Sequence, residues 1–207
     1  MVDPDEETAV AVGHQTEWMR GLGISASEDT KSTYVKLVEE RAGFAEISKI
    51  RRELAESKIP MVLQHTEDTL AQKDKVIIFA HHHVMLDAIF EQFKGVAARI
   101  TGHTTPLART EAVRRFQEDP ACKLFVGSIQ AAGVGITLTA SDHVIFAELD
   151  WVPANMLQAE SRPHRIGQKN GVLIQYLVVN GSLDARIVYA LVDKIKVIER
   201  TLGKEVV

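Results

Sequence analysis

The segment 158–168, QAESRPHRIGQ, concentrates side chains that could do chemistry. Arg162 and Arg165 stand three positions apart, and Gln158 opens the segment. On a helix this spacing places both arginines on one face, where two guanidinium forks can bind a polyanion. In phosphoryl transfer, such arginines neutralise charge that develops on the γ-phosphate. The alternative is a solvated or salt-bridged surface helix. The first interpretation is favoured because polar residues surround the arginines and Gly167 is expected to end the helix.

A second segment, 128–139 (SIQAAGVGITLT), directly follows a short apolar run. Gly133 and Gly135 remove side chains where the backbone must pass close to another group, commonly a phosphate. The pattern is not a dinucleotide fingerprint, because Leu138 stands where the third glycine is required. This argues against a dehydrogenase domain. An ordinary glycine-containing loop between a strand and a helix stays open as the alternative.

Three consecutive histidines, His81 to His83, close the first apolar run. Adjacent residues of a strand point to opposite faces, so these histidines would chelate poorly, and we expect no metal site. Capping of the following helix, or contact with a phosphate at the carboxyl edge of a sheet, is the favoured interpretation. Farther along, Trp151 and Pro153 are expected to form a packing corner.

Two features of a complete nucleotide site are not found in the sequence. No GxxxxGK[ST] phosphate loop occurs, since Gly203–Lys204 is followed by Glu205 and lacks the upstream glycine. No strand is predicted to end in an acidic pair suited to magnesium. The chain thus has candidate phosphate-binding arginines without a nucleotide cradle, and we expect it to hydrolyse no ATP by itself.

The elements that must position these side chains are short strands alternating with helices. Apolar and β-branched runs, the predicted strands, lie at 75–80, 96–100, 123–127, 143–147 and 173–179. Strands that are apolar almost throughout are typical of a parallel sheet covered on both faces. Helical spacing between them gives right-handed crossovers. We therefore predict an α/β fold, a doubly wound parallel sheet with helices on both faces. Pro106 is expected in the first turn of a helix that ends at Asp119–Pro120.

The rest of the chain is expected to be an arm and flanking helices. Residues 1–32 show no periodicity and are predicted to be a linker or partly disordered arm. Residues 33–72 are predicted to be a helical lead-in, with a new helix beginning at Pro60. Residues 73–182 would form the sheet domain. Residues 183–207 would contain an amphipathic helix packed on that domain.

Composition sets outer limits on function. The net charge is −4, but residues 1–50 carry ten acidic and five basic residues, so the remainder sums to +1. This balance permits a local basic strip without predicting nucleic-acid binding. The single cysteine, Cys122, excludes an internal disulfide and a cysteine-based zinc site. No apolar run approaches the ~20 residues of a membrane span, and no signal peptide is evident. We expect a soluble intracellular protein without a membrane partner.

Taken in order, five segments resemble the carboxyl-terminal RecA-like lobe of Swi/Snf-type DNA-dependent ATPases, in helicase superfamily two. They read KVIIFAHH, ARITGHT, LFVGSIQAAGVGITLT, HVIFAELDWVPA and QAESRPHRIGQ. The resemblance covers residues 55–202. The phrase FAELDW, Thr137 and the lead-in at 53–60 are similar to the annealing-helicase (HARP-like) branch or its bacterial and phage relatives.

This resemblance implies roles for the nucleotide-facing residues. Arg162 and Arg165 match the two arginines that reach ATP held by the first lobe, and Gln158 matches the glutamine that opens their motif. Gly133 and Gly135 match glycines near the nucleotide and the cleft between lobes. ATP and Mg²⁺ would be held mainly by the first lobe, and neither would be bound by this chain alone.

The resemblance also implies a nucleic-acid surface. Ser128 matches a hydroxyl that approaches the DNA backbone, and His81, Gly102 and Thr104 lie on loops that track one DNA strand. The implied partners are double-stranded or branched DNA and the first RecA-like lobe of the same polypeptide. The implied location is the cytoplasm or nucleoid in a bacterium or phage, and the nucleus in a eukaryote. A stand-alone, non-catalytic DNA- or protein-binding module is the alternative.

Four positions depart from the family pattern. Ser161 replaces the usual aspartate beside Arg162, which bears on how that arginine is positioned. The others are Thr137 and Val152, each in place of an asparagine, and Thr101 in place of an aspartate.

Overall fold

A computed structural model describes residues 41–132, 135–150, 152–179, 182 and 184. The chain separates into two units, residues 1–54 and 55–207. Within the first unit, the described residues 41–54 are helical. The predicted arm at 1–32 lies outside the described residues, as does the predicted carboxyl-terminal helix apart from Asp184.

The fold is an all-parallel sheet with helical crossovers, and this confirms the predicted α/β class. The helices are α1 Arg41–Leu70, α2 His83–Gln92, α3 Pro106–Glu118, α4 Ile129–Ala132 and α5 Pro153–Glu160. The strands are β1 Val76–Ala80, β2 Ala97–Ile100, β3 Leu124–Ser128, β4 His143–Phe146 and β5 Leu173–Tyr176. Each predicted strand is present, in the order β2-β3-β1-β4-β5. Pro106 opens α3 and Asp119 caps its carboxyl end, as predicted.

Strand β1 lies at the centre of the sheet and is buried at every residue. Phe79 packs on Phe146 of β4, with ring centroids 5.3 Å apart. On the other side, Phe79 stands in register with Gly127 of β3. A Cβ atom at Gly127 would lie 2.9 Å from the Phe79 ring, closer than real Cβ contacts. The aromatic packing of β1 therefore requires a glycine at position 127.

Helix α1 runs through Pro60, so the prediction of a new helix beginning there is wrong. Proline removes one hydrogen bond of the helix interior and normally kinks or ends it. Here a buried face continues on both sides of the proline, through Ala55, Lys58, Val62 and Thr66. Tertiary packing thus outweighs the local preference. Neither this helix nor any other in the described part of the chain is long and apolar enough to span a membrane.

A buried lysine fastens α1 to the chain after β5. The Lys58 side chain is 0% exposed, and its Nζ donates to Leu177 O at 2.6 Å and to Asp184 Oδ2 at 2.7 Å. A buried ammonium is tolerated because a carboxylate and a carbonyl replace its hydration. The pairing joins residues more than a hundred positions apart, and the sequence analysis did not anticipate it.

Replacing Gly127 with alanine is expected to destabilise the fold. The added methyl group must displace the Phe79 ring inside a packed sheet, which costs about 1–3 kcal/mol in comparable cores. Urea unfolding of the 207-residue chain measures the change. Gly95→Ala is the matched control, because nothing lies within 4 Å of a Cβ there. Equal stabilities of the two variants would contradict the packing argument.

Candidate functional site

A pocket of about 320 Å³ opens at the carboxyl edge of β1, β2 and β3. These strands are neighbours in the sheet, so the loops that follow them meet at one edge. We call this cavity the edge pocket; it is lined by His81, His83, Gly102, Arg109, Ser128, Ile129, Gln130 and Ala131. The lining contains no acidic side chain. Its chemistry is that of an anion site rather than a cation site.

The edge pocket brings together three of the four residues predicted to face DNA. His81, Gly102 and Ser128 line it. The fourth, Thr104, shapes the loop instead, because its Oγ1 accepts a hydrogen bond from the backbone N–H of Thr101 at 2.8 Å. The DNA-binding role of these residues stays a prediction.

The three histidines face different surroundings because β1 has already ended at Ala80. His83 stacks on His103, with ring centroids 5.7 Å apart, and lines the edge pocket with His81. His82 occupies the cap position of α2, but its side chain makes no capping hydrogen bond, contrary to the capping interpretation. No group of three or more metal-ligating side chains occurs among the described residues.

His82 is instead bound by Glu148, a residue that the sequence analysis missed. Glu148 Oε1 accepts from His82 Nδ1 at 2.5 Å, and Oε2 accepts from the backbone N–H groups of His82 at 2.9 Å and His81 at 3.1 Å. Burial by itself would raise the pKa of Glu148. The hydrogen bonds and charge of His82, together with the His81 amide, lower that pKa overall. Glu148 is therefore a carboxylate at neutral pH.

Arg109 is the second residue that the sequence analysis missed. Its guanidinium donates to three backbone carbonyls: Thr104 O at 3.0 Å, Ala131 O at 3.1 Å and Thr101 O at 3.2 Å. One side chain therefore joins the loop after β2 to α4 after β3. A signal existed in the sequence, because an arginine in the first turns of α3 can reach back to the loop that precedes it.

The arginine loop, residues 161–168, follows α5. Helix α5 ends at Glu160, so the prediction that Arg162 and Arg165 share a helical face is wrong. Pro163 explains this outcome, because proline disfavours a helical conformation at the preceding residue and cannot donate within the helix. The Ser161 hydroxyl bonds back to Gln158 O at 2.7 Å at the helix end. The Gln158 side chain is exposed on α5.

The two arginines nevertheless lie close to each other. Arg162 is buried and Arg165 is exposed. Burial, and then the charge of Arg165, lower the pKa of the Arg162 guanidinium. Arg165 Nη1 donates to Thr137 Oγ1 at 3.2 Å, and the Leu138 amide donates to Arg162 O at 3.2 Å. The loop thus packs beside the segment that contains Gly135.

Glycine and glutamine fix the backbone of the arginine loop. Gly135 has a φ of 66° and Gly167 a φ of 110°, values that favour glycine. Gly167 therefore serves a turn and does not end a helix. Gln168 Nε2 donates to Ser141 O at 2.9 Å and to Thr139 O at 3.3 Å, which ties the loop to the chain before β4. Gly133 and Trp151 lie outside the described residues.

Comparison with known proteins identifies related chains and folds. Residues 57–167, more than half of the chain, match the family model described as helicase conserved C-terminal domain. A SWI/SNF-related regulator of chromatin, subfamily A-like protein 1, from Drosophila melanogaster is 40% identical over 149 residues, covering 70% of this chain and 20% of the relative. Human DNA annealing helicase and endonuclease ZRANB3 is 46% identical over 129 residues, covering 61% of this chain and 11% of that protein. The chain therefore spans a fifth or less of the length of these relatives.

Two solved structures share the fold of this chain. The C-terminal part of the Fun30 ATPase domain has a TM-score of 0.58 and 27% identity, covering 65% of this chain and 44% of that one. The Sulfolobus solfataricus SWI2/SNF2 ATPase core, solved in complex with dsDNA, has a TM-score of 0.59 and 21% identity, covering 96% and 43%. At its level of identity, the second likeness concerns the fold alone.

Arg109→Ala is expected to destabilise the chain by about 1–3 kcal/mol, because three carbonyls lose their donor. Arg109→Lys should recover only part of the lost stability, because an ammonium can donate hydrogen bonds but lacks the planar fork of the guanidinium. Arg114→Ala is the control and should lower stability far less, because Arg114 forms only exposed, solvent-screened pairs with Glu111 and Glu118. Chemical denaturation measures all three. Similar losses at positions 109 and 114 would contradict the assigned role.

Glu160→Gln is expected to raise the unfolding free energy, relative to the unmodified chain, more at neutral pH than at acidic pH. Burial raises the pKa of Glu160, with a smaller opposing effect from the Tyr176 hydroxyl, which donates to Oε1 at 2.5 Å. A carboxyl whose pKa is higher in the folded chain than in the unfolded chain stabilises the fold at pH values below the unfolded-state pKa. That stabilisation is lost as the pH rises through the folded-state pKa. Glutamine keeps an acceptor for Tyr176 without the buried charge. Unfolding free energies across pH provide the measurement; exposed Glu67→Gln should change by under about 0.5 kcal/mol.

Proposed function

Because this chain belongs to the helicase conserved C-terminal domain family, in its Swi/Snf-type branch near the annealing helicases, we propose that it is the second motor lobe of an ATP-dependent DNA translocase or remodeller. In this role it supplies arginine fingers to ATP bound by a first RecA-like lobe and binds the DNA backbone.

The geometry of the arginine loop carries the nucleotide half of the proposal. Arg165 is exposed, and its guanidinium is oriented by the hydrogen bond to Thr137. Arg162 is buried and feels the charge of Arg165, and an anion bound to both would relieve their repulsion. A guanidinium fork matches the oxygens of a γ-phosphate and stabilises the charge of the transition state. This arrangement is half of an active site.

The first lobe would provide the other half. The sequence contains no phosphate loop, and the described residues contain no cluster of carboxylates suited to Mg²⁺. ATP and Mg²⁺ are therefore assigned to the first lobe, with closure of the two lobes bringing Arg165 onto the γ-phosphate. Cyclic closure would move the DNA-contacting loops along one strand.

The edge pocket supports the DNA half of the proposal. Its lining offers imidazoles and a hydroxyl and no carboxylate, which suits contact with a phosphate backbone. The Sulfolobus relative was solved with dsDNA, and the ZRANB3 relatives are named annealing helicases. Double-stranded or branched DNA is thus the proposed partner, with His81, Gly102, Thr104 and Ser128 on the contacting loops.

Arg165→Ala in a protein that joins this chain to a first lobe is expected to lower DNA-stimulated ATP hydrolysis by ~10³–10⁵-fold, because a finger of this type supplies that factor. DNA affinity and the unfolding temperature should stay unchanged. Arg114→Ala, an exposed arginine on α3, is the matched control and should hydrolyse ATP normally. Normal turnover by the Arg165 variant would contradict the arginine-finger assignment.

A further inference from the structure

Glu148 lies two residues beyond β4 and is 4% exposed. A carboxylate buried to this extent pays a desolvation cost that an apolar side chain would avoid. An apolar residue here, however, would leave the backbone amides of His81 and His82 without this acceptor. Three hydrogen bonds to Glu148 replace the lost hydration.

These hydrogen bonds control a very short connection. Strand β1 ends at Ala80 and α2 begins at His83, so His81 and His82 are the whole of the β1–α2 loop. Glu148 accepts from the backbone N–H of both loop residues. His81 and His83 line the edge pocket. The placement of their imidazoles therefore depends on a side chain that comes from the end of another strand.

The same stretch of chain also holds the helix that precedes the arginine loop. Asp150, which is 3% exposed, accepts from the Val152 amide at 2.8 Å and from Asn155 Nδ2 at 3.0 Å at the start of α5. Glu148 bonds to the β1–α2 loop and Asp150 bonds to the start of α5, so the two carboxylates have separate structural tasks. Loss of Glu148 is expected to disturb the pocket and to leave α5 in place.

We propose that Glu148, paired with His82, is a positioning residue that holds the β1–α2 loop in the geometry that binds a DNA phosphate in the edge pocket. The inference rests on the proposed function, and it assigns Glu148 no contact with DNA or with ATP. His82 contributes through its imidazole, which fixes the second carboxylate oxygen and so sets the angle of the carboxylate against the loop.

The test is ATP hydrolysis stimulated by a short DNA duplex, in the protein that joins this chain to a first lobe. Glu148→Gln keeps the size of the side chain but replaces one acceptor oxygen with a donor. The DNA concentration for half-maximal stimulation is expected to rise about tenfold, the loss of about 1.4 kcal/mol of binding. The rate at saturating DNA should not change. Glu91→Gln, an exposed carboxylate on α2, should alter neither quantity.

An unchanged half-saturating DNA concentration for Glu148→Gln overturns the proposal, as does a lower saturating rate without a change in that concentration. His82→Phe covers the case in which Glu148→Gln does not fold. It removes the imidazole hydrogen bond to Glu148 and keeps the two hydrogen bonds from the backbone N–H groups of His81 and His82. For His82→Phe we expect a smaller increase in the half-saturating DNA concentration. If that concentration does not increase, the proposal is overturned.

Amide hydrogen exchange separates this inference from the proposed function. In the 207-residue chain without DNA, Glu148→Gln is expected to speed exchange at His81 and His82 about tenfold, because opening of the loop becomes easier. Unchanged exchange overturns the positioning role. Faster exchange in a protein whose unmodified form shows no DNA-stimulated hydrolysis would uphold the loop geometry and defeat the proposed function.

Discussion

Backbone polar groups at the carboxyl edge of the sheet need partners that the strands cannot supply. Beyond the last hydrogen bond between strands, the backbone leaves the sheet while still partly buried. Unpaired amides or carbonyls there carry a desolvation cost. Side chains from outside the strands provide the partners: Arg109, Glu148 and Asp150. Each bonds to backbone groups that follow the end of a strand. The loops that carry the candidate functional groups are thus held by hydrogen bonds between side chain and backbone.

This arrangement explains how a sheet with short connections can present two different surfaces. The edge pocket lies over β1, β2 and β3. The arginine loop is tied to the chain between β3 and β4 through Thr137 and Gln168. The lining of the edge pocket contains no carboxylate, and the arginine loop carries Arg162 and Arg165. Under the proposed function both surfaces would bind phosphate groups, although the whole chain has a net charge of −4.

The limits of the sequence analysis are physical and can be assigned to particular residues. The strands were predictable because their apolar runs have few alternatives to burial. Two helix assignments failed in opposite directions. Pro60 lies within a helix because a buried face crosses it. Helix α5 ends at Glu160, ahead of Pro163, although Arg162 and Pro163 are both buried. The effect of a proline on a helix thus depends on its tertiary surroundings and is not fixed by the residue alone.

The class of fold, the family and the residue types at the candidate site follow from apolar periodicity and ordered motifs, which are local properties of the chain. The burial of Arg162 beside an exposed Arg165, and the bonds of Glu148 and Arg109 to loops distant in sequence, arise only when the chain is folded. These outcomes depend on the strand order β2-β3-β1-β4-β5, which brings the ends of separate strands together. Hydrogen-bond partners that are set by such a neighbourhood leave no pattern in the local sequence.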